Sequence, residues 1–175
     1  YRFPRTPLGN FNLRSEWTYV IDAHTYETPT SPRDDLRGQS GAPIWKNTTS
    51  LSWRKGNWRA GVSALYTGEF QDADGSTTLA VWDSLGRPGY ISEIFDTGAN
   101  RYRFLVEDTL TFNANVSYRF RTKNKWIGDS TVRLGVINAL GDEPPLAADS
   151  RGYTTNQYNS LARGRVWSIE ISRKL

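Results

Sequence analysis

Apolar and polar residues alternate along six separate stretches of the chain. The cleanest stretch is 108–121, where apolar side chains at every second position face Thr, Asn, Ser and Arg. An alternation of period two predicts β-strands, because successive side chains of a strand point to opposite faces. The other five stretches are 12–23, 45–54, 58–70, 131–140 and 164–175. The sequence therefore predicts an all-β protein with about six antiparallel strands.

The predicted strands are long, and the connections between them alternate in length. Each strand has about 9–11 residues, enough for a tilted strand to cross a bilayer, whereas strands of soluble proteins more often have ~5–6. The turns at 54–57 and 122–129 are short, whereas 24–42, 71–106 and 141–162 are long. This sorting is typical of transmembrane β-barrels. We expect the short turns on the periplasmic side and the long loops outside.

Aromatic residues are abundant, at 13% of a chain that is only 37% hydrophobic. Trp53 and Trp58 flank one predicted turn, and Phe120 and Trp126 flank the other. Amphipathic rings are stable at a water–lipid boundary, so these positions suit an aromatic girdle. Ordinary cross-strand packing of aromatics is the alternative. A soluble carbohydrate-binding β-sandwich with exposed aromatics also fits the composition and is our alternative function.

Charge and reactive side chains argue against several function classes. The net charge is +4, and the 22 basic residues are scattered rather than gathered in a stripe, so we expect no nucleic-acid partner. The chain has no Cys and one histidine, His24, which gives no recognisable zinc set. Asp72 and Asp74 resemble the start of a calcium loop, but the remaining ligands do not follow. We predict no enzyme activity, no catalytic residues, no metal and no cofactor.

One segment carries a specific family resemblance. The stretch RLGVINALGDEPP at 133–145 resembles the penultimate-strand signature of TonB-dependent outer-membrane receptors. A Gly-Arg pair before the final strand is also similar to that family, as are the pieces at 16–22, 47–70 and 109–120. The chain departs from the pattern at Leu175, where Phe or Trp is common, and at Arg173. The signature residues are Gly135, Val136, Asn138, Leu140, Asp142, Pro144, Pro145, Gly164 and Arg165.

The signature residues also have a local physical role. Asn138 and Asp142 suit a strand exit followed by a turn. Pro144 and Pro145 have no N–H to donate, so they are expected to stop the ladder.

The resemblance implies a fold and an architecture. Residues 1–175 would be the C-terminal part of an antiparallel transmembrane β-barrel, with the plug domain and the remaining strands absent. Barrels of this kind have ~22 strands and a plugged lumen, whereas about six strands are fewer than the ~8 of the smallest barrels. The chain also lacks Met, so we expect it to be a processed product or a piece of something longer, and the strand count favours the piece. The start at 1–11 is expected to supply only the tail of one more strand.

The resemblance also implies a function and a set of partners. The function would be TonB-dependent active uptake of a siderophore, cobalamin or an oligosaccharide across the outer membrane of a Gram-negative bacterium. The partners would be outer-membrane lipid, the receptor's own plug and missing strands, TonB through the absent N-terminal region, and the barrel-assembly machinery through the C-terminal strand.

Two of the long loops carry candidate ligand contacts. Aromatic rings and arginines there suit stacking on sugars or binding of anionic chelates, and packing within the loops is the alternative. The candidates are Trp82, Asp83, Arg87, Tyr90, Arg101, Tyr102, Arg151, Tyr153 and Tyr158. On the predicted lumen side, Arg14, Glu16, Arg119 and Arg133 are expected to pair with one another or with a plug.

Overall fold

The computed structural model describes residues 1–4, 6–39, 42–77, 79–96, 99–122, 129–147 and 152–173 of the chain. The strands in chain order are β1 (Asn10–Tyr19), β2 (His24–Thr25), β3 (Asp34–Asp35), β4 (Trp45–Lys55), β5 (Trp58–Thr67), β6 (Phe70–Thr77), β7 (Ile91–Asp96), β8 (Ala99–Val106), β9 (Thr109–Arg119), β10 (Ser130–Ile137) and β11 (Val166–Arg173). The helical elements are α1 (Leu79–Ser84), α2 (Thr155–Tyr158) and a 3-10 turn, Leu161–Arg163.

A six-stranded antiparallel sheet is the main element, with strand order β1-β4-β5-β9-β10-β11. All six strands predicted from the alternation are present, although several ends differ by a few residues. The mainly antiparallel β fold is therefore confirmed. The sheet is open, since its outer strands β1 and β11 do not pair with each other.

The hairpin between β4 and β5 confirms the short turn predicted at 54–57. β4 ends at Lys55 and β5 begins at Trp58, so only Gly56 and Asn57 connect them. Gly56 has a φ of 57°, the left-handed conformation that glycine adopts without a steric penalty. Glycine at the first position of a two-residue turn matches the right-handed twist of the flanking strands. Most of the turn predicted at 122–129 lies outside the described residues.

The long connection predicted at 71–106 contains strands and a helix that the sequence did not predict. A second antiparallel sheet, with order β6-β8-β7, and helix α1 occupy most of it. Gly and Asp, which are rare in strands, fall within β6 and hide its pattern from a periodicity argument. The register of β6 on β8 also shifts between Gln71 and Ser76, which breaks the alternation further.

The other two predicted loops contain shorter elements. β2 and β3 form a small antiparallel pair within 24–42, and α2 and the 3-10 turn lie within 141–162. None of the helices among the described residues has the length and apolarity needed to span a membrane.

The first residues of the chain pair with the outer edge of β1. The backbone N–H of Leu13 donates to Tyr1 O at 2.9 Å, and the N–H of Phe3 donates to Phe11 O at 3.2 Å. A further bridge joins Arg2 and Asn12. The segment therefore pairs with β1 through an isolated bridge, and its described residues form no strand. It covers only the first part of the edge of β1.

The buried apolar cluster does not lie under the large sheet. Phe70, Val106, Ala147, Tyr158 and Leu161 form it, and all five are less than 9% exposed. These residues come from β6, β8 and the segment before β11. The cluster therefore holds the loop end of the molecule together, and the described residues form no such core against the six-stranded sheet.

Asn138 ends strand β10. It is fully buried and left-handed, with a φ of 53°. Its amide brackets Asp142, because Nδ2 donates to Asp142 O at 2.7 Å and Oδ1 accepts from the Asp142 N–H at 2.9 Å. Its own N–H donates to Asn113 Oδ1 at 2.9 Å. The predicted role of Asn138 and Asp142 in the exit turn is confirmed.

The expectation that Pro144 and Pro145 stop the ladder is not met, because the ladder already ends at Ile137. The left-handed backbone of Asn138 turns the chain out of the strand before either proline is reached.

We predict that Asn138→Ala lowers the free energy of unfolding by about 2–4 kcal/mol. The substitution leaves two backbone groups of Asp142 without a hydrogen-bond partner, and it removes a residue suited to a left-handed backbone. Asn12→Ala is the matched control, because Asn12 is exposed on the same sheet and should change stability by less than ~0.5 kcal/mol. Equilibrium urea denaturation measures both. Equal losses in the two variants would contradict this role for Asn138.

Candidate functional site

One face of the six-stranded sheet is mainly apolar. Its polar exceptions, Ser15, Asn47 and Thr49, lie toward the loop end and hydrogen-bond to one another. The register aligns one row made of Leu13, Leu51, Val62, Ala114, Val136 and Trp167. The next row is Phe11, Trp53, Ala60, Val116, Leu134 and Ile169. This apolar face is open to the surroundings: Ile169 is 73% exposed, Trp17 is 63% exposed and Trp167 is 62% exposed. No layer of the described residues is packed over it.

The opposite face is polar. One row across it is Asn12, Ser52, Gly61, Asn115, Gly135 and Ser168. Another row is Asn10, Arg54, Arg59, Ser117, Arg133 and Glu170. Leu65 and Ile137 are apolar exceptions near the loop end. The sheet therefore has two faces of opposite polarity.

Aromatic side chains gather at both ends of the apolar face. Near the β4–β5 turn, the ring of Tyr118 lies 4.7 Å from Trp58 and 4.8 Å from Phe120, between centroids. At the loop end, the ring of Trp45 lies 4.4 Å from Tyr19 and 6.4 Å from Trp17. The rows between the two groups are mostly small and aliphatic, with four aromatic and two polar members: Phe11, Trp53, Phe112, Trp167, Ser15 and Thr49.

Of the four residues predicted to flank the turns, three are described. Trp58 and Phe120 belong to the aromatic group near the β4–β5 turn. Trp53 lies in the next row, and its Nε1 donates to Leu8 O at 2.8 Å. Trp126 lies outside the described residues.

Charged residues of the polar face form cross-strand and local ion pairs. Arg14 Nη2 lies 2.9 Å from Glu16 Oε2, and Arg133 Nη1 lies 3.3 Å from Glu170 Oε2. Arg119 Nη2 lies 3.0 Å from an oxygen of Asp129. Arg14 and Glu16 thus pair with each other as expected, whereas Arg119 and Arg133 pair with carboxylates that the sequence argument did not name.

Four of the candidate ligand residues form one cluster around Trp82. The Trp82 ring lies 5.0 Å from Tyr102 between centroids, and the Arg87 guanidinium lies 5.2 Å from the Trp82 ring centre. Arg87 Nε donates to Asp83 Oδ1 at 2.5 Å, and Tyr102 Oη donates to Glu93 Oε1 at 3.2 Å. These polar groups are one another's hydrogen-bond and ion-pair partners. This agrees with the alternative that these side chains pack within the loop.

The remaining candidates are dispersed. Tyr90 stacks on Phe104 at 5.9 Å, and Tyr153 packs against the buried cluster that contains Tyr158. Arg101 lies on β8, and Arg151 lies outside the described residues. Their contact with a ligand stays a prediction.

A cavity that was not predicted from the sequence lies where the two larger sheets meet. Its volume is about 700 Å³, within the usual range for small-molecule sites. Arg37, Glu69, Arg103 and Asp108 supply charge, and Trp45 supplies an aromatic wall. None of the predicted ligand residues lines it. Its lining comes from four separate stretches of the chain, so no local sequence motif predicts it.

The family-signature residues meet at the loop end of β10 and β11. Arg165 Nη2 donates to Leu140 O at 3.0 Å and lies over Gly141. Gly164 adopts a φ of 65° after the 3-10 turn and so directs the chain into β11. In mid-strand, Gly135 faces Ser168, whose Oγ would lie 2.8 Å from any Cβ at position 135. Gly135 therefore allows the close approach of that side chain.

Comparison with known proteins adds no relative. No protein-family model matches the chain, and no curated protein or solved structure matches it. The signature residues and the geometry of the sheet are therefore the two grounds for a functional inference.

The pKa values of two tyrosines at the loop end are raised. Burial, followed by the negative charge of Glu93, raises the pKa of Tyr102 above its usual 10.0. Burial likewise raises the pKa of Tyr158, with Asp108 contributing in the same direction. Because the unfolded chain ionises first, the stability that these groups contribute is complete below pH ~10 and is lost as the pH rises through their folded values.

We predict that Tyr102→Phe and Tyr158→Phe each remove one tyrosine from the late part of an ultraviolet absorbance titration at high pH. The variants should also unfold at a higher pH than the wild-type chain, since each lacks one group whose ionisation favours unfolding. Titration curves that overlay the wild type would contradict the burial of these hydroxyls.

Proposed function

We propose that the six-stranded sheet is part of the lipid-facing wall of an outer-membrane β-barrel. We further propose that the chain is the C-terminal barrel portion of a TonB-dependent receptor that imports a bulky nutrient. The observation that carries the first step is the exposed apolar face, bounded by aromatic groups at both ends and backed by a polar face. The signature at 133–145 and 164–165 supports the second step.

The exposed apolar face is costly in water and favourable in lipid. Each Leu, Ile or Trp side chain of such a face gains roughly 1.5–3 kcal/mol when it leaves water. Strands of 10 or 11 residues, such as β1, β4, β5 and β9, have the length that a tilted transmembrane strand requires. The two aromatic groups then lie at the two levels where amphipathic rings are most stable.

The alternative function, a soluble carbohydrate-binding sandwich, needs a second layer on the apolar face. In a sandwich the inner faces of two sheets interdigitate to form the core. The described residues hold their buried cluster at the loop end instead, and the apolar face of the large sheet remains open. The open face favours the membrane proposal over the sandwich.

The edges of the sheet support a larger barrel. In lipid, an unpaired backbone N–H or C=O costs several kcal/mol, so every spanning strand needs partners on both sides. Within the described part of the chain, β11 pairs only with β10, and the outer edge of β1 is covered only near Phe11–Leu13. Further strands would complete both edges, and the polar face would then line a lumen that a plug fills.

Nutrient uptake is the role that the family resemblance adds. The loop end, with its second sheet, its buried cluster and its cavity of about 700 Å³, is the part suited to bind a siderophore, cobalamin or an oligosaccharide. Energy coupling through TonB would depend on parts of the receptor other than this sheet.

The lipid-facing wall is tested with neighbouring residues on opposite faces. The chain has no cysteine, so Val62→Cys and Ser63→Cys each introduce one unique thiol. We predict that a bimane label at position 62 in bilayers is blue-shifted and quenched by doxyl lipids, whereas the label at position 63 is not. Equal quenching at both positions, or a monomeric protein in buffer without detergent, would contradict the membrane proposal.

The import step is tested in bacteria that produce the receptor containing this chain. We predict that accumulation of one labelled class, a ferric siderophore, cobalamin or an oligosaccharide, falls to background when an uncoupler collapses the proton-motive force. Surface binding of the same compound should persist under those conditions. Uptake that is insensitive to the uncoupler would argue for a passive channel.

A further inference from the structure

Two arginines face each other on the polar face, next to the tightest turn of the sheet. Arg54 of β4 and Arg59 of β5 are partners in the antiparallel register. Directly opposite residues of such a pair have Cβ atoms about 4.5–5.5 Å apart, and like charges at that separation are destabilising. The arrangement therefore favours a bound counter-charge.

Three other arginines of this face have carboxylate partners, but this pair does not. Arg14 is paired with Glu16, Arg119 with Asp129 and Arg133 with Glu170. No carboxylate of the described residues lies within ion-pair distance of Arg54 or Arg59. The two guanidinium groups thus have unused donors directed away from the apolar face.

A cavity surrounds these arginines on the sheet. Its volume is about 810 Å³, and Arg2 and Arg133 line it together with Arg54 and Arg59. Asn10, Asn12, Ser52, Asn115 and Ser117 add neutral hydrogen-bonding groups, and no Asp or Glu is among the lining residues. Gly61 has no side chain, and the Asn115 amide lies over it, with Nδ2 3.2 Å from the position that a Cβ would take. Because Arg133 is paired with Glu170, the positive charge of the cavity comes from Arg2, Arg54 and Arg59.

We propose that this cavity binds a small multivalent oxyanion, such as a compound bearing phosphate or sulfate groups, between Arg54 and Arg59. The planar fork of arginine donates two parallel hydrogen bonds to such a group, and two facing forks can hold adjacent oxygens of one anion. The asparagine and serine side chains donate to the remaining oxygens. The binding site lies on the polar face at the turn end, far along the strands from the loop-end cavity.

The dimensions favour a small anion over a protein segment. The volume matches that of small-molecule sites, which are clefts of about 300–1,000 Å³. A lipid headgroup is disfavoured, because the arginines lie on the face opposite to the apolar side chains that would contact acyl chains.

The test uses the full 175-residue chain folded in detergent micelles, with folding verified by far-UV circular dichroism. We predict that isothermal titration with sodium pyrophosphate at low ionic strength gives one saturable site, and that added sodium chloride weakens it. Arg54→Gln and Arg59→Gln should each weaken binding at least tenfold, and Arg59→Lys should weaken it less, since lysine keeps the charge but loses the fork.

Arg14→Gln is the matched control, because it removes the same charge from the same face at a residue that already has a partner. Its affinity for pyrophosphate should stay within twofold of the wild type. No saturable binding, or equal losses in Arg14→Gln and Arg59→Gln, would overturn the proposal. Arginine-dependent binding of a polyglutamate peptide without binding of pyrophosphate would overturn it in favour of an acidic protein segment.

Discussion

The register of the six-stranded ladder decides which chemistry each side of the sheet presents, because side chains alternate with every residue. A slip of one position between any two strands would move an entire apolar set to the polar side. The pairing of Leu51 with Val62 and of Leu134 with Ile169 shows that the alternation agrees from one edge to the other. The open apolar face, the ion pairs of the polar face and the facing arginines all follow from this single alignment.

The elements that sequence reasoning predicted well are those whose signal is local and repeated. β9 is an example, with apolar residues at every second position from Leu110 to Tyr118. β6 was not predicted, because Gly and Asp interrupt its alternation and because its pairing with β8 is irregular. The second sheet depends on contacts between segments that periodicity treats separately, such as the approach of Trp82 to Tyr102. A single sequence holds little information about such contacts.

The candidate sites likewise divide into those with a local sequence signal and those that depend on long-range contacts. Asn138 and Asp142 lie four positions apart, and their turn was predictable from residue chemistry. The pairing of Arg133 with Glu170 spans 37 positions and depends on the register of β10 and β11. Neither cavity was predictable, since the lining of each comes from several strands. The aromatic group at the turn end was largely predictable, because the rings lie within a few residues of a recognisable turn.

The outer edge of β11 has a consequence for handling the protein. In the described part of the chain this strand offers eight residues of open backbone, flanked by Trp167, Ile169 and Ile171 on one side. Open edges with apolar side chains are templates for intermolecular pairing and aggregation in water. Arg173 is a gatekeeping charge at one end of the strand. Pairing of this edge with a second copy of the chain is therefore the expected route to aggregation in water.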